Sequence, residues 1–311
     1  MDIRAKIALT RQLCLSGLQM PPLSGLAEDL ERGEIIDKRP IALLRSVLDA
    51  QNRKSQLLSI CRRLGADPEL ALNKTASLVR VLLLKASLVS LEKLKEVPVD
   101  DSVRALICDE FQFFAQPGPK ELHLLQPETY SLLALGKIAL LERFPAGQYH
   151  WEISGLPRSW LFQVPPLFLP RVLYFVATQL RGFRPCFFPH MATRRNPLVM
   201  QAKTSNKSWY RIARSVELQP AIKGLVACSW LHSVDTFAVS PHLSFMNEPF
   251  VESGAIVTTI GEAGKQAGFL VGSDARRKLY ESGKFKPTLG LVLWSRAQMI
   301  RWAHSHPELG K

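Results

Sequence analysis

Along the first 150 positions apolar residues recur every three to four residues, the spacing that lays one stripe along a helix. In PIALLRSVLDAQNRKSQLLSICRRLG (residues 40–65), Leu43, Leu44, Val47 and Leu48, then Leu57, Leu58, Cys61 and Leu64, share one side. Arg45, Asp49, Arg53 and Arg63 lie opposite. Pro40 stands where a helix can begin and Gly65 where one can end, so the pattern predicts one long amphipathic helix. ASLVRVLLLKASLVSLEKLKEV predicts a second, stopped before Pro98. SVRALICDEFQFFA and PETYSLLALGKIALLERF predict two more. No repeat period runs through them, which argues against a solenoid.

The pattern changes near FPAGQYHWEISG. Short β-favouring runs (QYHWEIS, RPCFFPH, GLVACSWLH, AIVTTIG and TLGLVLW) now alternate with helical ones such as LPRVLYFVATQLRG, NKSWYRIARSVEL, HLSFMNEPFVESG and ARRKLYESG. Strands interleaved with helices predict a single sheet domain. The expected fold class is therefore α+β, a helical N-terminal bundle over 1–146 followed by a mixed-sheet α/β domain over 147–311.

Charge divides at the same place. The chain's net charge of +13 splits into +2 for residues 1–150 (20 basic, 18 acidic) and +11 for residues 151–311 (20 basic, 9 acidic). The second half attracts anions: a phosphorylated cofactor, an acidic membrane surface or nucleic acid. The five cysteines are odd in number, widely spread and without a CxxC pair, which reads as reduced thiols in a cytoplasmic protein. The charged N-terminus lacks the apolar core of a signal peptide. Residues 160–180, the nearest approach to a membrane span, contain Pro165, Pro166, Pro170 and Arg171 and read as a turn followed by a helix. Its proline-broken part, Trp160 to Tyr174, serves as core, as an acyl-chain pocket or as a membrane-surface contact.

From Gly224 onward the order is a strand, the step Val239-Ser240-Pro241, a helix, a strand, a basic helix with Ala275, Leu279, Tyr280, Gly283 and Phe285, and a final strand. In this order and these residues the segment resembles the core of the GNAT acyltransferase superfamily. The resemblance implies a GNAT-like domain that moves an acyl group from a thioester donor, acyl-CoA or an acyl carrier protein, to an amine or similar acceptor. It implies that Tyr280 protonates the leaving thiolate, which a phenol with a pKa near 10 can do. A tyrosine here also serves simply to pack the helix on the sheet. Ser240 and His242 would hold the donor carbonyl or phosphates, with Arg276 and Arg277 meeting the phosphates. Glu152 would be the general base for the amine. The family's glycine-rich pyrophosphate loop has no counterpart in SPHLSFMNEPF, and Lys284 is inserted between Gly283 and Phe285.

Two alternatives come from other residues. In a strand His150 and Glu152 point to one face, and a third ligand from His190, His232 or His242 would complete an iron(II) site. Arg194, Arg195, Lys203, Lys207, Arg211 and Arg214 interleave with Trp209 and Tyr210, as in single-strand nucleic-acid binders, but no RNA- or DNA-binding signature accompanies them. GEAGKQAG (residues 261–268) lacks the spacing and the Ser/Thr of a phosphate-binding loop and reads as a strand connection.

Overall fold

The computed structural model describes residues 39–63, 68–115, 130–192, 201–264 and 273–311. The N-terminal segment, Gly65, Arg194, Arg195 and much of the GEAGKQAG stretch lie outside them. The described chain is mixed α/β, with twelve α-helices and a six-stranded mixed sheet. It divides into two compact units, residues 1–97 with 104–144, and residues 98–103 with 145–311.

In the first unit the long helix expected from residue 40 is two helices, α1 (Arg39–Asp49) and α2 (Arg53–Arg63). Asn52 causes the break, because its Oδ1 accepts the Ser55 amide at 3.0 Å and caps α2. Helices α3 (Pro68–Lys93), α4 (Asp101–Ala115) and α5 (Tyr130–Ala139) follow. Helices α1, α2 and α5 each pack on α3. Gly136 of α5 lies so close to α1 that a Cβ would fall 2.6 Å from Leu48. The Arg80 side chain donates to the Phe114 carbonyl at 2.7 Å and to that of Ala115, satisfying the open C-terminus of α4. The expected helix through Phe144 stops at Ala139; Leu141 turns left-handed at φ 56° and the chain enters a strand.

The sheet order is β1-β2-β3-β4-β6-β5. Strand β1 (Arg143–Pro145) is a three-residue edge at the division between units. Strands β2 (Tyr149–Ser154) and β3 (Cys186–Met191) pair antiparallel, with His150 opposite His190 and Glu152 opposite Phe188. Strand β4 (Gly224–Ser229) runs parallel to β3, with a single register pair, Phe187 with Leu225. Strand β6 (Thr288–Ser295) lies antiparallel between β4 and β5 (Ile256–Glu262).

Side-chain alternation sends each strand's residues to two layers. On one face, α6 (Arg158–Leu161) and α7 (Leu169–Thr178) bring Val172, Phe175 and Val176 onto Val226, Ile256, Ile260, Leu291 and Leu293. The other face carries α8 (Ala202–Glu217), the crossover between β3 and β4, with α10 (Glu248–Glu252) and the C-terminal α12 (Arg296–Ser305). Its core is a chain of rings. Tyr149 stacks on Trp209 at 4.2 Å, Trp209 meets Phe250 at 5.1 Å, Phe250 meets Trp294 at 5.1 Å, and Trp294 meets Trp302 at 5.5 Å. Short α9 (Val234–Val239) follows β4, and α11 (Asp274–Glu281) lies between β5 and β6.

Candidate functional site in the split between two parallel strands

Beyond Phe187 and Leu225 the parallel strands have no further paired positions, and a partly open cavity of about 210 Å³ lies there. Phe188, Pro189, His190 and Met191 of β3 form one wall, and Ala227, Cys228 and Ser229 of β4 another. Leu231, His232, Met246, Tyr149 and Trp209 complete it.

His232 is placed by its own backbone. Strand β4 ends because the Ser229 hydroxyl accepts the Leu231 amide at 3.2 Å, starting a 3-10 turn over Trp230–His232. Ser233 then caps α9 by accepting the Asp235 amide at 3.2 Å. This turn rests on β6 at Gly290, where an added Cβ would sit 2.3 Å from the His232 carbonyl carbon. The His232 ring is buried, with Nδ1 2.9 Å from Asn247 Oδ1, while Asn247 Nδ2 donates to the His232 carbonyl at 3.1 Å. Burial pulls its pKa down to about 4, against a smaller upward effect of Asn247. The ring is therefore neutral at pH 7, with Nδ1 donating and Nε2 an acceptor.

His190 comes from the opposite wall. Its Nε2 lies 3.3 Å from Glu152 Oε1, and both side chains are about four-fifths buried. The pairing follows from register, since His190 faces His150, two residues from Glu152 on the same face. Two other cavity groups are held protonated. Burial raises the Tyr149 phenol well above its ordinary value, a hydrogen bond with Ser205 at 3.0 Å only partly offsetting this. Burial also pushes the Cys228 thiol up to about 11, so it lines the cavity as an apolar group.

The residues singled out from the sequence fall in four places. Glu152 is beside the cavity through His190. Ser240 and Arg276 meet elsewhere: Arg276 Nη1 donates to Ser240 Oγ at 3.1 Å while the guanidinium lies 5.1 Å from the Trp230 ring centroid. Both are buried, and burial lowers the Arg276 pKa. His242 and Arg277 are exposed, Arg277 lying 3.5 Å from Asp274. Tyr280 is half-buried in a cluster with Trp230, Val239, Ala263 and Phe285 and is not among the cavity-lining residues. Val239 ends a helix rather than a strand. The helices after β4 lead to β5, which is separated from β4 by β6.

Sequence reasoning left Tyr149 and Ser229 out of the site and weighed His190 and His232 only as metal ligands. The signal was present in QYHWEIS, whose alternation places Tyr149 on one face and Glu152 on the other. Among the described residues no group of three His, Cys, Asp or Glu side chains able to hold a metal ion forms. His232 is engaged by Asn247, and His242 is exposed. The basic, aromatic stretch on α8 offers no stacking platform at Trp209, which is fully buried. Arg211 donates to the Ala146 carbonyl at 3.0 Å, and Arg214 pairs with Glu217. No family model, curated protein or solved structure matches the chain.

Proposed function

We propose that this chain transfers an acyl group from a thioester donor, acyl-CoA or an acyl carrier protein, to an amine or similar acceptor in the cavity between β3 and β4. The observation that carries the reading is the split itself. Two parallel strands that stop pairing leave main-chain groups on both inner edges, and an extended amide-bearing donor arm can pair with such edges as an added strand does. The cavity wall there carries the His190 imidazole, with the Glu152 carboxylate 3.3 Å from it.

His190 takes the proton from the acceptor as its nitrogen attacks the thioester carbonyl, and Glu152 stabilises the imidazolium that forms. The tetrahedral intermediate collapses with cleavage of the carbon–sulfur bond, and the same proton returns from His190 to the departing thiolate. The Ser229 hydroxyl, which lines the cavity, is the donor nearest to hand, because the Tyr149 hydroxyl is held by Met246 Sδ at 3.3 Å and Ser205 Oγ at 3.0 Å. His232, neutral and held by Asn247, adds no charge beside the developing oxyanion. In this scheme Tyr280 packs α11, and Ser240 with Arg276 fixes α11 against the turn before α10.

Incubation with a set of acyl-CoA and acyl carrier protein thioesters and a primary amine, followed by free thiol and acylated product, tests the reading. His190→Ala lowers turnover by about 10²-fold or more and Glu152→Gln by about 10-fold, with smaller changes in KM. Tyr280→Phe keeps turnover within about threefold; a 10²-fold loss there returns the acid role to Tyr280. A wild-type protein that neither binds nor consumes any thioester overturns the assignment.

A further inference from the structure

Helix α7 is apolar on two sides. Val172, Phe175 and Val176 point at the sheet, as a core-facing stripe requires. The outward side exposes Leu173 (44%) and Tyr174 (68%), the turn before α7 exposes Leu167 (85%) and Phe168 (44%), and Phe162 after α6 is 90% exposed. Single exposed apolar residues are ordinary, but five within residues 162–174 form a patch that water disfavours. Pro166 and Pro170, both exposed, stiffen the turn that carries them.

The charges around this patch have one sign. Arg158, Arg171, Arg181 and Arg184 are exposed on the same segment. Residues 153–192 contain these four arginines and no Lys, Asp or Glu. An exposed apolar patch beside cations alone is the composition of a surface that enters a headgroup layer. A sheet of anionic headgroups presents one sign over a wide area, and a segment that carries arginines and no carboxylate of its own is attracted to it. Among the described residues no helix is long and apolar enough to cross a membrane, so the contact is with a surface.

We propose that the α6–α7 face docks on an anionic phospholipid bilayer, its exposed apolar side chains entering the headgroup layer and its arginines meeting lipid phosphates. The docked face is joined to the cavity through Trp160, whose ring lies 6.0 Å from that of Phe188 in the cavity wall. The proposal does not depend on acyl transfer.

Cosedimentation of the full chain with vesicles tests it, using phosphatidylcholine alone and phosphatidylcholine mixed with phosphatidylglycerol. The wild type binds the mixed vesicles, and binding weakens as salt is raised. The double variant Phe162→Glu, Leu167→Glu loses about tenfold or more, and Arg158→Ala and Arg171→Ala about fivefold each at low salt. Val251→Glu, at a residue 68% exposed on α10, binds as the wild type does. The substituted positions are exposed, so melting temperatures stay unchanged except in Arg158→Ala, where loss of the contact with the Phe183 ring at 5.3 Å costs at most about 1 kcal/mol. Absence of binding, equal binding to phosphatidylcholine alone, or unaltered binding by the double variant overturns the proposal. A double variant that keeps vesicle binding but loses an acidic soluble protein assigns the patch to a protein and overturns it too.

Discussion

The two faces of the sheet place their large apolar side chains in opposite ways. On the α8 face, five rings from Tyr149 to Trp302 touch in series, and large residues such as Trp209 and Trp294 are fully removed from water. On the α7 face the inner stripe is sealed just as well, yet Phe162, Leu167 and Tyr174 project outward. Both buried layers contribute to folding stability, and the outward residues of the α7 face do not. An exposed phenylalanine has gained nothing from burial, so its retention at the surface points to something outside the folding of this chain.

The largest expected effect tests that contrast directly. Trp209→Ala removes a ring stacked between Tyr149 and Phe250 and should cost about 3–5 kcal/mol by denaturant unfolding. A cost below about 1 kcal/mol would mean that the ring chain is not the core it resembles. Next in size is a pH effect centred on the cavity. Unfolded, His232 gains its proton near the ordinary value of 6.5; folded, burial delays this to about 4. Between those values the unfolded chain binds more protons, so stability falls as pH drops from about 6.5 to about 4. The loss from this group reaches about 3 kcal/mol and levels off below that window. In His232→Gln this component of the pH dependence should disappear, and an unchanged slope would place the ring in water.

Gly290→Ala is a smaller test of how the cavity is supported. Its Cβ would press on the His232 backbone, with an expected cost of about 2 kcal/mol and a wider cavity. An unchanged melting temperature would show that the turn gives way freely. The smallest effect belongs to the outward face: Phe162→Ser should change stability by no more than about 0.5 kcal/mol. A loss like that of Trp209→Ala would show that Phe162 is covered in the folded chain and would erase the difference between the faces.

Much of this fold was legible because periodicity reports which side of an element is buried. The strands at Tyr149, Cys186, Gly224, Ile256 and Thr288 each stood in a short β-favouring run bounded by turn residues, and each forms. The break between α1 and α2 was not legible from the stripe, because a capping asparagine acts locally and leaves the apolar spacing intact. Helix α12 was also overlooked, although its Ser295–Gln298 capping box stands in the sequence as SRAQ. The site was less legible than the fold. Glu152 was visible as a same-face neighbour of His150, but its partner His190 is 38 residues away and meets it only through strand register. Spacing within a segment carries no information about which strand will lie beside it. Tyr280 stood out because a short motif surrounds it, and motifs advertise positions without stating what they face.

The one-ended tie between β3 and β4 has a mechanical consequence. A sheet usually resists shear because every strand is tied to its neighbours along its length. Here the strands on the β1–β3 side and those on the β4–β6–β5 side form two ladders tied at one end, by the Phe187–Leu225 pair and by the Lys223 amide on the Pro185 carbonyl at 3.0 Å, with the α8 crossover as a further link. Small rotations about that tie cost few hydrogen bonds, so the two ladders can scissor while each stays internally intact. Amide exchange should report this as slow protection within Val226–Leu293 pairing and faster exchange along the inner edge of residues 188–191. The gap would then widen and narrow as a jaw does, with its pivot at the closed end of the sheet and its travel greatest where Ser229 and Met191 stand.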